Sequence, residues 1–141
     1  MIRKFKETDT DRIMQIWLNG NKDAHPFIPE AYWQSNFQMV QEQLSQAELF
    51  LYETDGEIQG FIGIMDHYIA GIFVENRHRS SGIGAQLLEY AKSSRQTLSL
   101  NVYKKNERAV DFYLREGFFI RAESTDEETG CREYTMCWDA E

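Results

Sequence analysis

A chain of 141 residues has the size of one domain, taken as 1–141, and can bury a sizeable core. Its formal net charge of −8 argues against a nucleic-acid partner, which would need a basic face to displace counterions from phosphates. No apolar run approaches a bilayer's thickness and no apolar stretch follows Arg3, Lys4 and Lys6, so the expectation is a soluble, cytoplasmic protein with no membrane partner. Two cysteines, Cys131 and Cys137, fit free thiols in a reducing compartment. Neither they nor the three histidines have metal-ligand spacing, so no metal is expected.

In chain order, Met1 to Lys6 alternates apolar and basic residues as a half-buried strand does. Thr8 and Asp9 offer N-caps, and Ile13, Ile16 and Trp17 form a helix stripe predicted to end near Asn19-Gly20. Pro26 and Pro29 bracket a turn. Trp33, Phe37, Val40 and Leu44 then recur at helical spacing and predict one second helix. Leu49 to Thr54, Asp55-Gly56 and Glu57 to Met65 read as a hairpin with a two-residue turn. Asp66-His67 turns the chain into a strand from Tyr68 to Val74.

Ser80-Ser81-Gly82-Ile83-Gly84 follows, and Ile83, Leu87, Leu88 and Ala91 recur on one helix face. A glycine loop opening a helix lets a ligand oxygen approach the backbone, where the first helical N–H groups lack partners and the helix dipole favours an anion. Arg77 and Arg79 add charge beside it. No Gly-Lys-Ser/Thr completes a Walker loop, and Leu87 stands where the dinucleotide fingerprint needs its third small residue. Next come a strand from Thr97 to Val102, a helix from Glu107 to Glu116 stopped at Gly117, and strands from Phe118 to Glu123 and Glu133 to Trp138. The acidic connection holding Asp126, Glu127 and Glu128 reads as a solvated hairpin loop.

Arg79-Ser80-Ser81-Gly82-Ile83-Gly84 resembles the acyl-CoA loop of the GNAT superfamily of N-acetyltransferases, with its Arg/Gln-x-x-Gly-x-Gly/Ala pattern. Asn106 to Phe118 resembles that superfamily's Asn-x-x-Ala-x-x-x-Tyr-x-x-x-Gly-Phe segment. His25-Pro26-Phe27-Ile28 and the chain length are similar to small bacterial acetyltransferases of the YiaC type. The resemblance implies an α/β (α+β) fold: a mixed, mostly antiparallel sheet of about seven strands, flanked by four helices and splayed at the acyl-CoA site. It implies acetyl-CoA as acyl donor, with the main chain of Ile72, Phe73 and Val74 pairing its pantetheine arm. It further implies that Arg79, Ser80, Ser81, Gly82, Ile83, Gly84 and Ala85 hold its pyrophosphate and that Asn106 contacts the arm. Five of these have a plain structural alternative: strand core for Ile72 and Val74, helix capping for Ser80, Ser81 and Asn106.

Tyr113 is the implied catalytic acid, with a packed core tyrosine as the competing reading. Direct attack by an amine on a thioester expels a thiolate with a conjugate-acid pKa near 8 to 9, and a tyrosine near 10 can protonate it. The amine must be neutral to attack, and a lysine amine is so in fewer than ~0.1% of molecules at pH 7. N-terminal acetyltransferases of the RimI kind carry a Glu where Asn101 stands here, and Asn cannot accept a proton at neutral pH. Asp66, His67, Glu75 and His25 are the substitute bases. The implied activity is transfer of acetyl to a primary amine of a protein, peptide or small molecule, by a monomer or homodimer; the alternative is an acyl-CoA sensor without turnover.

Overall fold

A computed structural model describes residues 1–75 and 81–140. Arg77, His78, Arg79 and Ser80 lie outside the described residues, so the readings placed on them are not addressed by it.

The described elements are β1 (Ile2–Lys4), a short 3-10 turn (Glu7–Asp9), α1 (Thr10–Ala24), α2 (Glu30–Ser35), α3 (Phe37–Leu44), β2 (Glu48–Thr54), β3 (Glu57–Met65), β4 (Tyr68–Val74), α4 (Ile83–Lys92), β5 (Thr97–Tyr103), α5 (Glu107–Arg115), β6 (Phe119–Thr125) and β7 (Arg132–Asp139). The seven strands form one sheet in the order β1-β2-β3-β4-β5-β7-β6. All neighbours are antiparallel except β4 and β5.

Two helix boundaries differ from the sequence reading, each for a tertiary reason. Gly20 does not stop α1, which runs on to Ala24 with the His25 N–H bonded to the Asn21 carbonyl. The glycine is there because a Cβ at that point would lie 3.1 Å from the Phe73 ring, so the helix needs a bare backbone where β4 passes beneath it. The second expected helix is two segments. Asn36 breaks it at φ −96° and ψ −1°, with its side-chain amide donating to the Tyr32 carbonyl at 2.7 Å and competing with the helix for that acceptor.

The hairpin between β2 and β3 forms as expected. Asp55 and Gly56 take φ of 53° and 79°, the left-handed pair a two-residue turn requires.

Two cores result, one on each sheet face. Ile62, Ile64, Ile69, Leu98, Leu100 and Met136 meet α4 and α5, while Leu51 and Phe61 meet Ile13, Met14 and Trp17 of α1 and Trp33 of α2.

Candidate active site

The site is built where β4 and β5 meet. Their recorded register is one parallel pair, Tyr68 opposite Ser99, supported by the Ser99 N–H donating to the His67 carbonyl at 2.9 Å. One cause lies in β4 itself. Against β3, Gly63 faces Gly71 and Ile64 faces Ile69, leaving Ala70 as an extra residue. Such a bulge bends its strand and strengthens the local twist, which re-aims the edge from Gly71 to Val74. Within β4, Ile72 and Val74 pack toward the α4–α5 core, whereas the Phe73 ring stacks on Phe61 at 5.3 Å toward α1.

β4 leads toward α4, whose N-cap is Gly82 at φ 87° with no side-chain cap. Glycine is at Gly82 because a side chain would be strained in that backbone conformation. The N–H groups of Ile83, Gly84 and Ala85 have no acceptor within the helix and carry the positive end of its dipole. A Cβ on Gly84 would meet only ordinary contacts, 3.5 Å from the Phe112 ring. A helix that starts on a glycine N-cap, a bulged strand edge and no bulky side chain at either glycine fit an extended amide chain ending in a diphosphate.

Tyr113 projects from α5 into the core against Phe112 and Phe118, with ring centroids 5.2 and 5.5 Å away. The Gly117-Phe118 end of the motif has a mechanical explanation. Gly117 takes φ 95°, the Phe118 N–H donates to the Tyr113 carbonyl at 3.0 Å, and the Gly117 N–H donates to the Leu114 carbonyl at 3.2 Å. This is a Schellman close with its usual apolar contact, and the residue it clamps is Tyr113. Burial raises the phenol's pKa, with a further push from Tyr68, so the group stays protonated across the neutral range.

Asn106 caps α5, accepting from the Ala109 N–H at 3.3 Å, and its amide nitrogen lies 3.3 Å from His25 Nε2. His25 Nδ1 lies 3.1 Å from the Asn21 carbonyl oxygen, which can only accept. Nδ1 therefore carries the proton and Nε2 accepts from Asn106, tying α1 to α5 through a neutral imidazole. Both ring nitrogens are occupied, so His25 is not free to act as a base. Its ring is boxed by Trp33 at 5.2 Å, Tyr103 at 5.1 Å and Phe27 at 5.6 Å.

Burial lowers the His25 pKa to about 4. The unfolded chain takes up a proton near pH 6.5 and the folded chain only near 4, so stability falls as pH drops between those values. Urea unfolding should show the wild type losing about 2 kcal/mol from this group between pH 7 and pH 5, a loss missing from His25→Gln.

The other bases considered above fare no better. Glu75 pairs with Arg12 of α1 at 3.0 Å, and Asp66 and His67 occupy the turn before β4, at the other end of that strand from the chain leading to the start of α4. Asn101 accepts from Thr135 across the sheet at 2.8 Å. The acidic connection is not merely solvated: Tyr32 donates to Glu128 at 2.7 Å and Tyr103 to Asp126 at 2.6 Å, docking the β6–β7 loop onto α2 and β5. Nothing in the sequence spacing signals those pairs, which join residues 96 and 23 positions apart.

Residues 19–140 match the model of the acetyltransferase (GNAT) domain family. The chain is 33% identical to the peptidyl-lysine N-acetyltransferase YiaC of Escherichia coli over 98% of its own length and 96% of the relative's. Its fold is similar to the solution structure of apo YjaB from Escherichia coli, with a TM-score of 0.87 and 24% identity over 98% and 96% of the two chains. It is also similar to the PaiA N-acetyltransferase of Thermoplasma acidophilum in complex with coenzyme A, with a TM-score of 0.83 and 21% identity over 99% and 98%.

Proposed function

The chain belongs to the GNAT family of acetyltransferases and takes its acetyl group from acetyl-CoA, and from that premise we propose that it acetylates the side-chain amine of lysine in proteins or peptides. The observation that carries the reading is the β4–β5 junction, paired at Tyr68 and Ser99, together with a Tyr113 phenol buried in the α4–α5 core, kept protonated by burial and within the influence of Tyr68. Lysine as acceptor is supported by the name of the YiaC relative and by the carboxylates and aromatic rings gathered on the other side.

Acetyl-CoA supplies an activated thioester. In this reading the N–H groups at the start of α4 hold its diphosphate and the main chain of Ile72 to Val74 orients its amide arm in the way an added strand is held. Asn106, already fixed between His25 and the α5 backbone, lines the arm's path. Tyr113 delivers its proton to the departing sulfur, and no enzyme nucleophile is required, which leaves Cys131 and Cys137 outside the chemistry.

The test is incubation of the protein with acetyl-CoA and a peptide library bearing blocked or free α-amines, read by mass spectrometry. Acetyl on lysine side chains is the expected result. Modification confined to α-amines, or to small amines added in competition, overturns the lysine assignment.

A further inference from the structure

We propose that Glu133 of β7 is the general base that takes the proton from the acceptor amine, working on the sheet face opposite Tyr113. The inference deepens the lysine reading above and rests on it. Its starting point is the alternation of β5. Leu98, Leu100 and Val102 are buried against α4 and α5, the side from which Tyr113 comes, so Ser99, Asn101 and Tyr103 point to the other face. Cross-strand partners share a face: β7 places Cys137, Thr135 and Glu133 opposite those three. Tyr68, in register with Ser99, belongs to the same face.

Glu133 sits opposite Tyr103, four residues beyond Ser99 and so roughly 13 Å along the strand from the one recorded β4–β5 pair. That puts it about level with Ile72. The polar N–H groups agree. Even-numbered residues of β5 bond toward β7, as the Lys104 N–H does to the Arg132 carbonyl at 2.9 Å, and Ser99 bonds toward β4. The main chain of Asn101 is thus turned toward β4, where the Tyr68 hydroxyl meets it, with Glu133 beyond.

The other carboxylates on this side are committed. Asp126 is held by Tyr103 and Glu128 by Tyr32, whereas Glu123, opposite Tyr134, stands on the α4–α5 face. Among the described residues the Glu133 carboxylate makes no ion pair and no hydrogen bond. The groups facing it are Tyr68 of β4, Tyr103 of β5 and Asp126 of the β6–β7 loop; Lys105, in the turn after β5, lies over the Phe27 ring at 5.6 Å. Partial burial and the Asp126 charge raise its carboxyl pKa, in the direction that makes a better base at neutral pH.

The chemistry calls for this arrangement. The amine approaches the thioester carbon from one side while sulfur leaves toward a proton donor elsewhere, so base and acid serve best from opposite faces. One ammonium proton goes to Glu133 and on to solvent; the nitrogen lone pair forms the C–N bond as the C–S bond breaks. Sulfur takes the Tyr113 proton, and the second proton shed by nitrogen restores the phenol.

The experiment is a profile of kcat/KM against pH for wild type, Glu133→Gln and Glu133→Asp, by thiol release on a lysine peptide, with α-amine peptides and small amines run beside it. At pH 7 Glu133→Gln should lose about 100-fold, and the deficit should shrink as pH rises toward the lysine pKa of about 10.4, since free amine then replaces the base. Glu133→Asp should recover part of the loss, and the thermal upshift given by acetyl-CoA should be the same in all three. A change within about threefold at pH 7, or a loss equal at every pH, overturns the role of Glu133. Turnover by wild type only on an amine other than lysine overturns the lysine reading instead, and the Glu133 comparison is then read on that amine.

Discussion

Tyr113→Phe lowers kcat by about 100-fold or more, leaves KM for acetyl-CoA unchanged and barely moves the melting temperature. The three parts have separate causes. The ring is 7% exposed and packed between Phe112 and Phe118, and phenylalanine keeps all of that packing. Among the described residues no hydrogen bond to the phenol is lost, so no buried partner is orphaned. What disappears is a proton available only as the C–S bond breaks, an interaction of the transition state alone. The phenol's pKa is pushed upward by burial, which by itself makes it a weaker acid. Burial acts the same way on the thiolate, whose charged form is equally penalised, so donor and acceptor rise together and the mismatch stays small. The pH profile of the wild type should therefore show no alkaline limb from this group below about pH 10. A kcat within about threefold of wild type would reduce Tyr113 to a core side chain clamped by the Gly117 close.

The features legible in the sequence are those that a segment decides for itself. The Asp55-Gly56 turn, the Asn106 cap and the Gly117 stop each rest on a backbone conformation that the local residue type prefers. Strand and helix positions followed from apolar spacing for the same reason. What stayed hidden depends on a partner far along the chain. Gly20 looks like a helix stop until the Phe73 ring is seen against it, and Asn36 looks like a tolerable helix residue until its amide turns back on Tyr32. His25 reads as a candidate base because its spacing cannot reveal that Asn21 and Asn106 occupy both nitrogens. Glu133 reads as no more than the first residue of the last strand. Only the β5–β7 register gives it a face, and only the pairing of its neighbours leaves it as the one without a partner among them.

Gly60→Ala weakens acetyl-CoA use more than an alanine at Gly63 does, although both glycines lie in the same strand. Gly60 faces Val74 across the β3–β4 pair, and a Cβ there would stand 2.8 Å from the Phe73 carbonyl oxygen and 3.3 Å from both the Val74 Cα and Ile83 Cγ2. Two of those atoms are backbone, so the relief must come from moving the end of β4 and the first residue of α4. At Gly63 the nearest atom is the tip of Leu49, at 3.1 Å, which can rotate away. Overpacking of the first kind costs about 2 kcal/mol, or roughly 4–8 °C in melting temperature for a chain of this size; the second should cost less than half of that. The functional contrast is sharper. The Gly60 strain falls on the strand edge and helix start proposed to hold the donor, and each ~1.4 kcal/mol of misplacement there raises its KM about tenfold. Tyr113, held on α5 by its own Schellman close, should keep kcat at saturating donor within a few-fold of wild type. Equal KM values for the two variants would mean that the donor is not gripped along the β4 edge and the start of α4.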